Sequence, residues 1–168
     1  HYVGVAWYQR DIEIPAAWKG KKITLFLERP HVESRVWIDK KEVGMKNSLS
    51  VPHVFDLTGI APGKHTLSIA VDNRIKDINV GIDSHSISDQ TQGNWNGITG
   101  VMELRVQDEV FFDDIQIFPD LASKKAKVKI SVHSLNKGTQ KGELKISAES
   151  FNSAQTHIVP AVTVPFSM

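Results

Sequence analysis

Apolar and polar residues alternate with a period of two along most of this chain. Residues 4–10, GVAWYQR, set two aromatics between small residues and a charged end, continue through Ile12 and Ile14, and stop at Pro15 ahead of Trp18. That pattern predicts a strand that pairs early in a large antiparallel sheet. Ile23, Leu25 and Leu27 against Thr24, Phe26 and Glu28 predict a strand with one strongly apolar face, introduced by a turn at 19–22 and ended by Arg29 and Pro30. Residues 33–44, ESRVWIDKKEVG, predict a hairpin with Val36 and Ile38 on one face, Arg35, Trp37 and Asp39 on the other, and a tight turn near Asp39, Lys40 and Lys41. A type I′ turn prefers glycine where Lys40 or Lys41 stands. A short extended stretch at 51–57 follows, then the loop TGIAPG at 58–63. Residues 65–73 alternate cleanly, with Leu67, Ile69 and Val71 forming a buried face.

Between 74 and 99 the pattern dissolves into Asp, Asn, Gln, Ser and Thr. Connections beyond roughly 12–15 residues are usually functional or disordered, and the functional reading is favoured because Ile87, Trp95 and Ile98 give this stretch something to pack with. Met102, Leu104 and Val106 restore the alternation, and Phe111, Phe112, Ile115 and Ile117 begin another strand system. Val128, Ile130 and Val132, then Leu144 and Ile146, are spaced as in an immunoglobulin-like sandwich, of which only about 50 residues are present against roughly 100 for a whole domain. No helix longer than a turn and no internal repeat is predicted. The fold class is therefore all-β: a jelly-roll-like β-sandwich over residues 1–109, followed by a partial immunoglobulin-like β-sandwich over 110–168.

Composition narrows the function classes. Twenty basic and nineteen acidic residues leave a formal charge of +1, too little field to gather nucleic acid or an anionic membrane, so neither is expected as a partner. The apolar run ITLFL at 23–27 is far shorter than the roughly 20 residues needed to span a bilayer. Cysteine is absent, which removes disulfides and thiolate metal sites. The chain begins at His1, already inside a strand-like pattern, and is read as a fragment or processed product.

Several segments, in order, resemble one family. GVAWYQRDIEIP at 4–15, VWIDKKEVG at 36–44, VDN at 71–73 and NGITGVMEL at 96–104 are similar to the sugar-binding domain of glycoside hydrolase family 2, the β-galactosidases, β-glucuronidases and β-mannosidases. VFFDDIQIFPD at 110–120 resembles that family's crossing into its immunoglobulin-like domain. The chain departs from the pattern at Gly100, where the family commonly has arginine, and at Lys40 and Lys41, where it commonly has asparagine and glycine. The segment that precedes the first hallmark strand in such enzymes is missing too. The resemblance implies the non-catalytic N-terminal region of a family 2 β-glycosidase, of β-galactosidase or β-glucuronidase type, that supports and borders the active site of a barrel. Its partners would be a saccharide, the β-glycoside substrate of the parent enzyme, and the (β/α)₈ catalytic domain of the same full-length chain. The parent would cleave O-glycosyl bonds, this region alone would be inactive, and no cofactor is implied. A bacterial periplasmic or secreted location is in keeping with the resemblance, although no segment gives the compartment.

Candidate chemistry agrees with a non-catalytic role. A retaining glycosidase needs two carboxyls about 5 Å apart, whereas Asp113 and Asp114, or Asp108 and Glu109, are strand neighbours that point to opposite faces, so no catalytic residue is assigned. The seven histidines show no metal-ligand spacing; the nearest pair, His53 and His65, straddles the glycine-containing loop. Asp72 to Asp89 offers oxygen ligands for calcium but no loop signature, so no metal site is assigned. Saccharides are bound by a flat aromatic face and planar polar side chains, and DQTQGNWN at 89–96 supplies both: Trp95 as the platform, with Asp89, Gln90, Gln92, Asn94 and Asn96 as the hydrogen-bonding set. The competing reading has Trp95 plugging the sandwich edge while the amides tie down their own loop. Trp7, Tyr8 and Trp37 are expected in core and inter-sheet packing. Arg10 and Arg74 are each open to an ion-pair or a hydroxyl-binding reading. Two other functions stay in play, an independent carbohydrate-binding module and a structural or adhesive β-sandwich.

Overall fold

The computed structural model describes residues 2–74, 76 and 96–168. Among these the only helical element is one 3-10 turn, Ala16–Trp18, set off by Pro15; the rest of the regular structure is antiparallel strand. The chain divides into two compact units, His1–Glu109 and Val110–Met168.

The first unit is a sandwich of two sheets. One is built from β1 (Val5–Ile14), β3 (Glu33–Ile38), β4 (Lys41–Asn47) and β6 (Gly63–Asp72) in the order β1-β6-β3-β4. The other contains β2 (Lys22–His31), β5 (His53–Asp56) and β7 (Gly97–Gln107) in the order β5-β2-β7. Period-two alternation turns Ile23, Leu25 and Leu27 of β2 toward Val36 and Ile38 of β3 and Leu67, Ile69 and Val71 of β6, closing one core that Ile14, Phe55 and Leu57 complete. Each such side chain contributes about 1.5–3 kcal/mol by leaving water.

β1 and β7 lie at the edges of their sheets on the same side of the sandwich, and a cleft of about 520 Å³ opens between them. Arg10 and Met102 line it, with Leu25 and Ile69 at its floor. Met102 and Val106 pair with the core residues Leu27 and Ile23, yet they stay 52% and 37% exposed, and no described strand pairs with β7 on its other edge.

Three expectations change in detail. β2 does not end at Arg29 and Pro30 but runs through Pro30, paired with Ile98, to His31. β5 covers only Thr24 to Leu27, so among the described residues β2 has the single neighbour β7 at Pro30, where a missing N–H costs little. The hairpin turn falls on Asp39 and Lys40, both with positive φ (49° and 73°), between the paired Ile38 and Lys41. It is a two-residue turn of the I′ kind, with Asp39 and not Lys41 as one central residue. Trp7 is not in the core: Trp7 and Trp37 lie on the outer face of the four-stranded sheet, their rings 5.1 Å apart and tilted by 33°, leaving Trp7 65% exposed. Tyr8 points inward and lines the cleft, still partly exposed at that open edge.

The second unit holds two antiparallel ribbons. β8 (Val110–Asp120) pairs with β9 (Lys125–Ser134), and β10 (Lys141–Glu149) pairs with β11 (Ile158–Ser167). Its apolar side chains remain largely in solvent, Ile117 at 64% and Ile158 at 67%. β11 is absent from the sequence reading, because Pro160 and Pro165 argue against a strand. It pairs only with β10, and its other edge has room for both prolines.

Candidate functional site

The polar loop leaves the sandwich at the end of β6 and returns at the start of β7. Asp89, Gln90, Gln92, Asn94 and Trp95 lie outside the described residues; Asn96 and the base of the loop are described. That base is organised by the two residues that end the VDN motif, Asp72 and Asn73.

The Asp72 main-chain carbonyl accepts the Val32 N–H at 2.9 Å, which joins β6 to the start of β3. Its carboxylate is buried and takes charge-assisted hydrogen bonds from the chain just beyond it. Oδ1 accepts Arg74 Nε at 2.9 Å and the Arg74 N–H at 3.1 Å; Oδ2 accepts Arg74 Nη2 at 2.7 Å. Lys76 Nζ lies 2.8 Å from the same Oδ2 and donates to Glu33 Oε2 on β3 at 3.1 Å. The Arg74 guanidinium, assisted by Lys76, holds the Asp72 carboxyl far below the usual carboxylate range, and the bonds to Asp72 raise both cations in turn. Arg74 is therefore an ion-pair residue. With both oxygens of Asp72 engaged by cations, a calcium reading at this aspartate finds its charge already matched. Among the described residues no cluster of three or more histidines or acids is placed to hold a metal ion.

Asn73 joins three segments through one side chain. Its Oδ1 accepts the Gly4 N–H at 2.8 Å, its Nδ2 donates to the Tyr2 carbonyl at 2.8 Å, and the same Nδ2 donates to Asn96 Oδ1 at 2.6 Å. The entry to β1, the departure of the loop and its return thus meet at one amide. The neighbouring Gly97 has φ +79°, and a Cβ there would collide with the Tyr8 hydroxyl, so the returning chain reaches the edge strand only as glycine. Of the proposed saccharide set, Asn96 is exposed, and its amide oxygen is engaged by Asn73.

The carboxylates set aside for catalysis are surface groups. Asp108 pairs with Lys21 at 2.8 Å, and Asp113 lies 3.5 Å from His133, both more than half exposed. His53 is a core group: Ser34 Oγ lies 2.6 Å from its Nδ1, and its Nε2 donates to the Ser48 carbonyl at 2.9 Å. Burial lowers its pKa and keeps it neutral. The sequence reading missed the anchoring by Asp72 and Asn73. The available signal was a clean strand ending in two successive Asx residues followed by arginine, directly ahead of the longest aperiodic stretch.

No family model matches the sequence. Solved structures do match in fold. β-Glucuronidase 2 of Bacteroides uniformis, solved with cyclophellitol-6-carboxylate aziridine covalently bound, aligns over 99% of this chain and 20% of its own, with a TM-score of 0.76 and 20% identity. A β-galacturonidase of glycoside hydrolase family 2 from Eisenbergiella tayi aligns over 99% of this chain and 29% of its own, with a TM-score of 0.68 and 24% identity. A protein described as a β-galactosidase from Bacteroides fragilis aligns over 99% and 25%, with a TM-score of 0.75 and 16% identity. This chain thus has the fold of a region of these glycosidases and spans between a fifth and a third of their length.

Proposed function

We propose that this chain is the non-catalytic N-terminal region of a family 2 β-glycosidase, of β-galactosidase or β-glucuronidase type, and that it borders the active site of a barrel carried elsewhere in a longer polypeptide. The observation that carries the reading is the fold match over 99% of the chain to glycosidases several times its length. The family-like segments, from GVAWYQRDIEIP to NGITGVMEL, support it independently. The mechanism is positional. The sandwich holds the polar loop at the rim of the sugar site, where Trp95 stacks on the saccharide and Asp89, Gln90, Gln92, Asn94 and Asn96 reach its hydroxyls. Orientation of the substrate lowers the barrier without this chain taking part in bond cleavage. Chromogenic β-glycosides test the reading: hydrolysis by the full-length polypeptide and none by residues 1–168 is the expected result. Turnover by the isolated chain, or none by the full-length protein, overturns it.

One observation favours an independent carbohydrate-binding module as a second reading. Trp7, 65% exposed beside Trp37, is an aromatic surface of the kind that stacks on sugar rings. Calorimetric titration of residues 1–168 with galactose, glucuronic acid, mannose and short β-linked oligosaccharides decides it. Binding that Trp7→Ala abolishes supports the module, and silence removes it.

A further inference from the structure

We propose that β7 is a self-recognition edge through which two copies of this chain pair antiparallel, with the twofold axis at Leu104. The pairing is independent of any glycosidase activity. Among the described residues the first unit has four edge strands, β1, β4, β5 and β7. An edge strand offers unpaired N–H and C=O groups, and short length, bulges or inward-pointing charges keep it from pairing with another chain. β5 is short, His53–Asp56, and β4 breaks register against β3 between Val36 and Trp37. β1 turns Arg10 into the cleft near the middle of its length. β7 has none of these guards over Met102–Gln107. There it pairs without irregularity with Lys22–Leu27, contains no proline, and sets the apolar residues Met102, Leu104 and Val106 on its inner face.

The strand is also complementary to itself. Because side chains alternate with period two, an antiparallel pair keeps both inner faces together only when the paired residue numbers share parity, and a twofold at Leu104 satisfies this. Leu104 then stands opposite its own copy and Met102 opposite the partner's Val106, so the apolar inner faces of the two strands run on into each other. On the outer face Glu103 meets the partner's Arg105, and Arg105 meets the partner's Glu103. Both side chains are held ready for this. Arg105 Nε donates to Glu103 Oε1 at 2.7 Å, the guanidinium lies 3.4 Å from the centroid of the Phe26 ring, and both groups are close to half exposed. Pairing joins two such ion pairs into a ring of four alternating charges and continues the sheet β5-β2-β7 into its copy. The contact is isologous and closes on two chains. A ladder over Met102–Val106 is small beside the roughly 1,600 Å² of a standard interface, so the dimer is weak and concentration-dependent.

Sedimentation velocity of the 168-residue chain tests this. From about 5 to 200 µM the wild type should convert from monomer to dimer. Met102→Lys puts a charge on the inner face and should leave a monomer. Glu103→Arg and Arg105→Glu, both at exposed positions, each set like charges opposite one another twice over and should each weaken dimerisation about tenfold or more. Mixed in equal amounts, these two single variants should pair with each other at least as tightly as the wild type does with itself, because every facing pair is then of opposite charge. Mixing does not rescue a substitution that only destabilises the fold. Both substitutions in one chain restore the two facing pairs and should dimerise like the wild type, which keeps the test open if one single variant fails to fold. A wild type that stays monomeric throughout overturns the proposal, whether the edge is bare or taken by another segment of a longer polypeptide. Association that Met102→Lys and the charge reversals leave intact belongs to another surface, such as the exposed Leu121 and Phe151 of the second unit, and overturns it equally. Charge reversals that abolish the dimer and recover it neither on mixing nor in the double variant also overturn it.

Discussion

His53 and His65, on either side of the TGIAPG loop, carry opposite charge requirements. His65 faces oxygen on both ring nitrogens, the Asp39 carboxylate at Nδ1 and the Ala61 carbonyl at Nε2, an arrangement that only the protonated ring satisfies fully. The hydrogen bond with Asp39 raises the His65 pKa above 6.5 and lowers that of Asp39 below 3.8. The folded state therefore binds the histidine proton more tightly than the unfolded chain does. The contribution of His65 is fully present below pH 6.5 and declines as pH rises through the raised value. The Asp39 contribution is present above 3.8 and declines as pH falls through the lowered one. His53, with its pKa lowered by burial, contributes above 6.5 and loses that contribution in acid. Over about pH 6 to 8 the loss from His65 runs against the gain from His53, so denaturant titrations should show stability rising more, or falling less, with pH in Asp39→Asn than in the wild type. Ser34→Ala leaves His53 Nδ1 without its buried partner and should cost about 1–3 kcal/mol at neutral pH, read from the denaturation midpoint. None of this was legible in the sequence, where both histidines were weighed only as metal ligands. The spacing of a lone histidine does not reveal which carbonyl its far nitrogen will meet.

At the scale of the element, two irregularities carry more information than the regular pairing around them. In the β2–β7 ladder the register shifts between Leu27 and Arg29, so that Glu28 alone stands against Gly100 and Val101. Glu28 accepts the Val101 N–H that the bulge leaves over, and a Cβ on Gly100, at φ +79°, would collide with that carboxylate. Gly100→Ala should destabilise by about 1–3 kcal/mol. Combined with Glu28→Ala it should cost less than the sum of the two, because the collision disappears while the backbone strain stays; a double-mutant cycle by chemical denaturation measures this. In the β3–β4 turn Lys40 occupies a left-handed position, so Lys40→Gly should raise stability by about 1 kcal/mol, seen as a higher midpoint with an unchanged denaturant slope. The strands themselves were readable, since one buried face forces alternation in β2, β3 and β6 and fixes their ends to within a few residues. The continuation of β2 through Pro30 and the whole of β11 were not. Whether a proline fits a strand depends on which edge has a neighbour, and that is a tertiary fact.

For the whole molecule, burial is unevenly shared. Every fully buried large side chain among the described residues belongs to the first unit, while the second exposes Leu121 at 89% and Phe151 at 90%. Apolar surface on that scale favours association. The isolated 168-residue chain should bind a hydrophobic dye and unfold in two steps, the amides of 110–168 exchanging ahead of those in the 1–109 core. Hydrogen exchange resolved by residue checks this, and a single transition common to both units would contradict it. The all-β class and the sandwich were legible because period two runs through most of the chain. Of the candidate saccharide set, Asn96 alone lies among the described residues. The anchors of its loop escaped notice because Asn73 acts on Tyr2, Gly4 and Asn96, far away in sequence, and composition does not show such pairings.

The Trp7–Trp37 pair gives this molecule an optical signature of its own. Two indoles 5.1 Å apart at a fixed tilt couple their electronic transitions, so the folded four-stranded sheet should show a split band in far-ultraviolet circular dichroism that neither tryptophan gives alone. The two residues sit on β1 and β3 with β6 between them. The band therefore reports the assembly of three strands at once and serves as a spectroscopic ruler for that sheet.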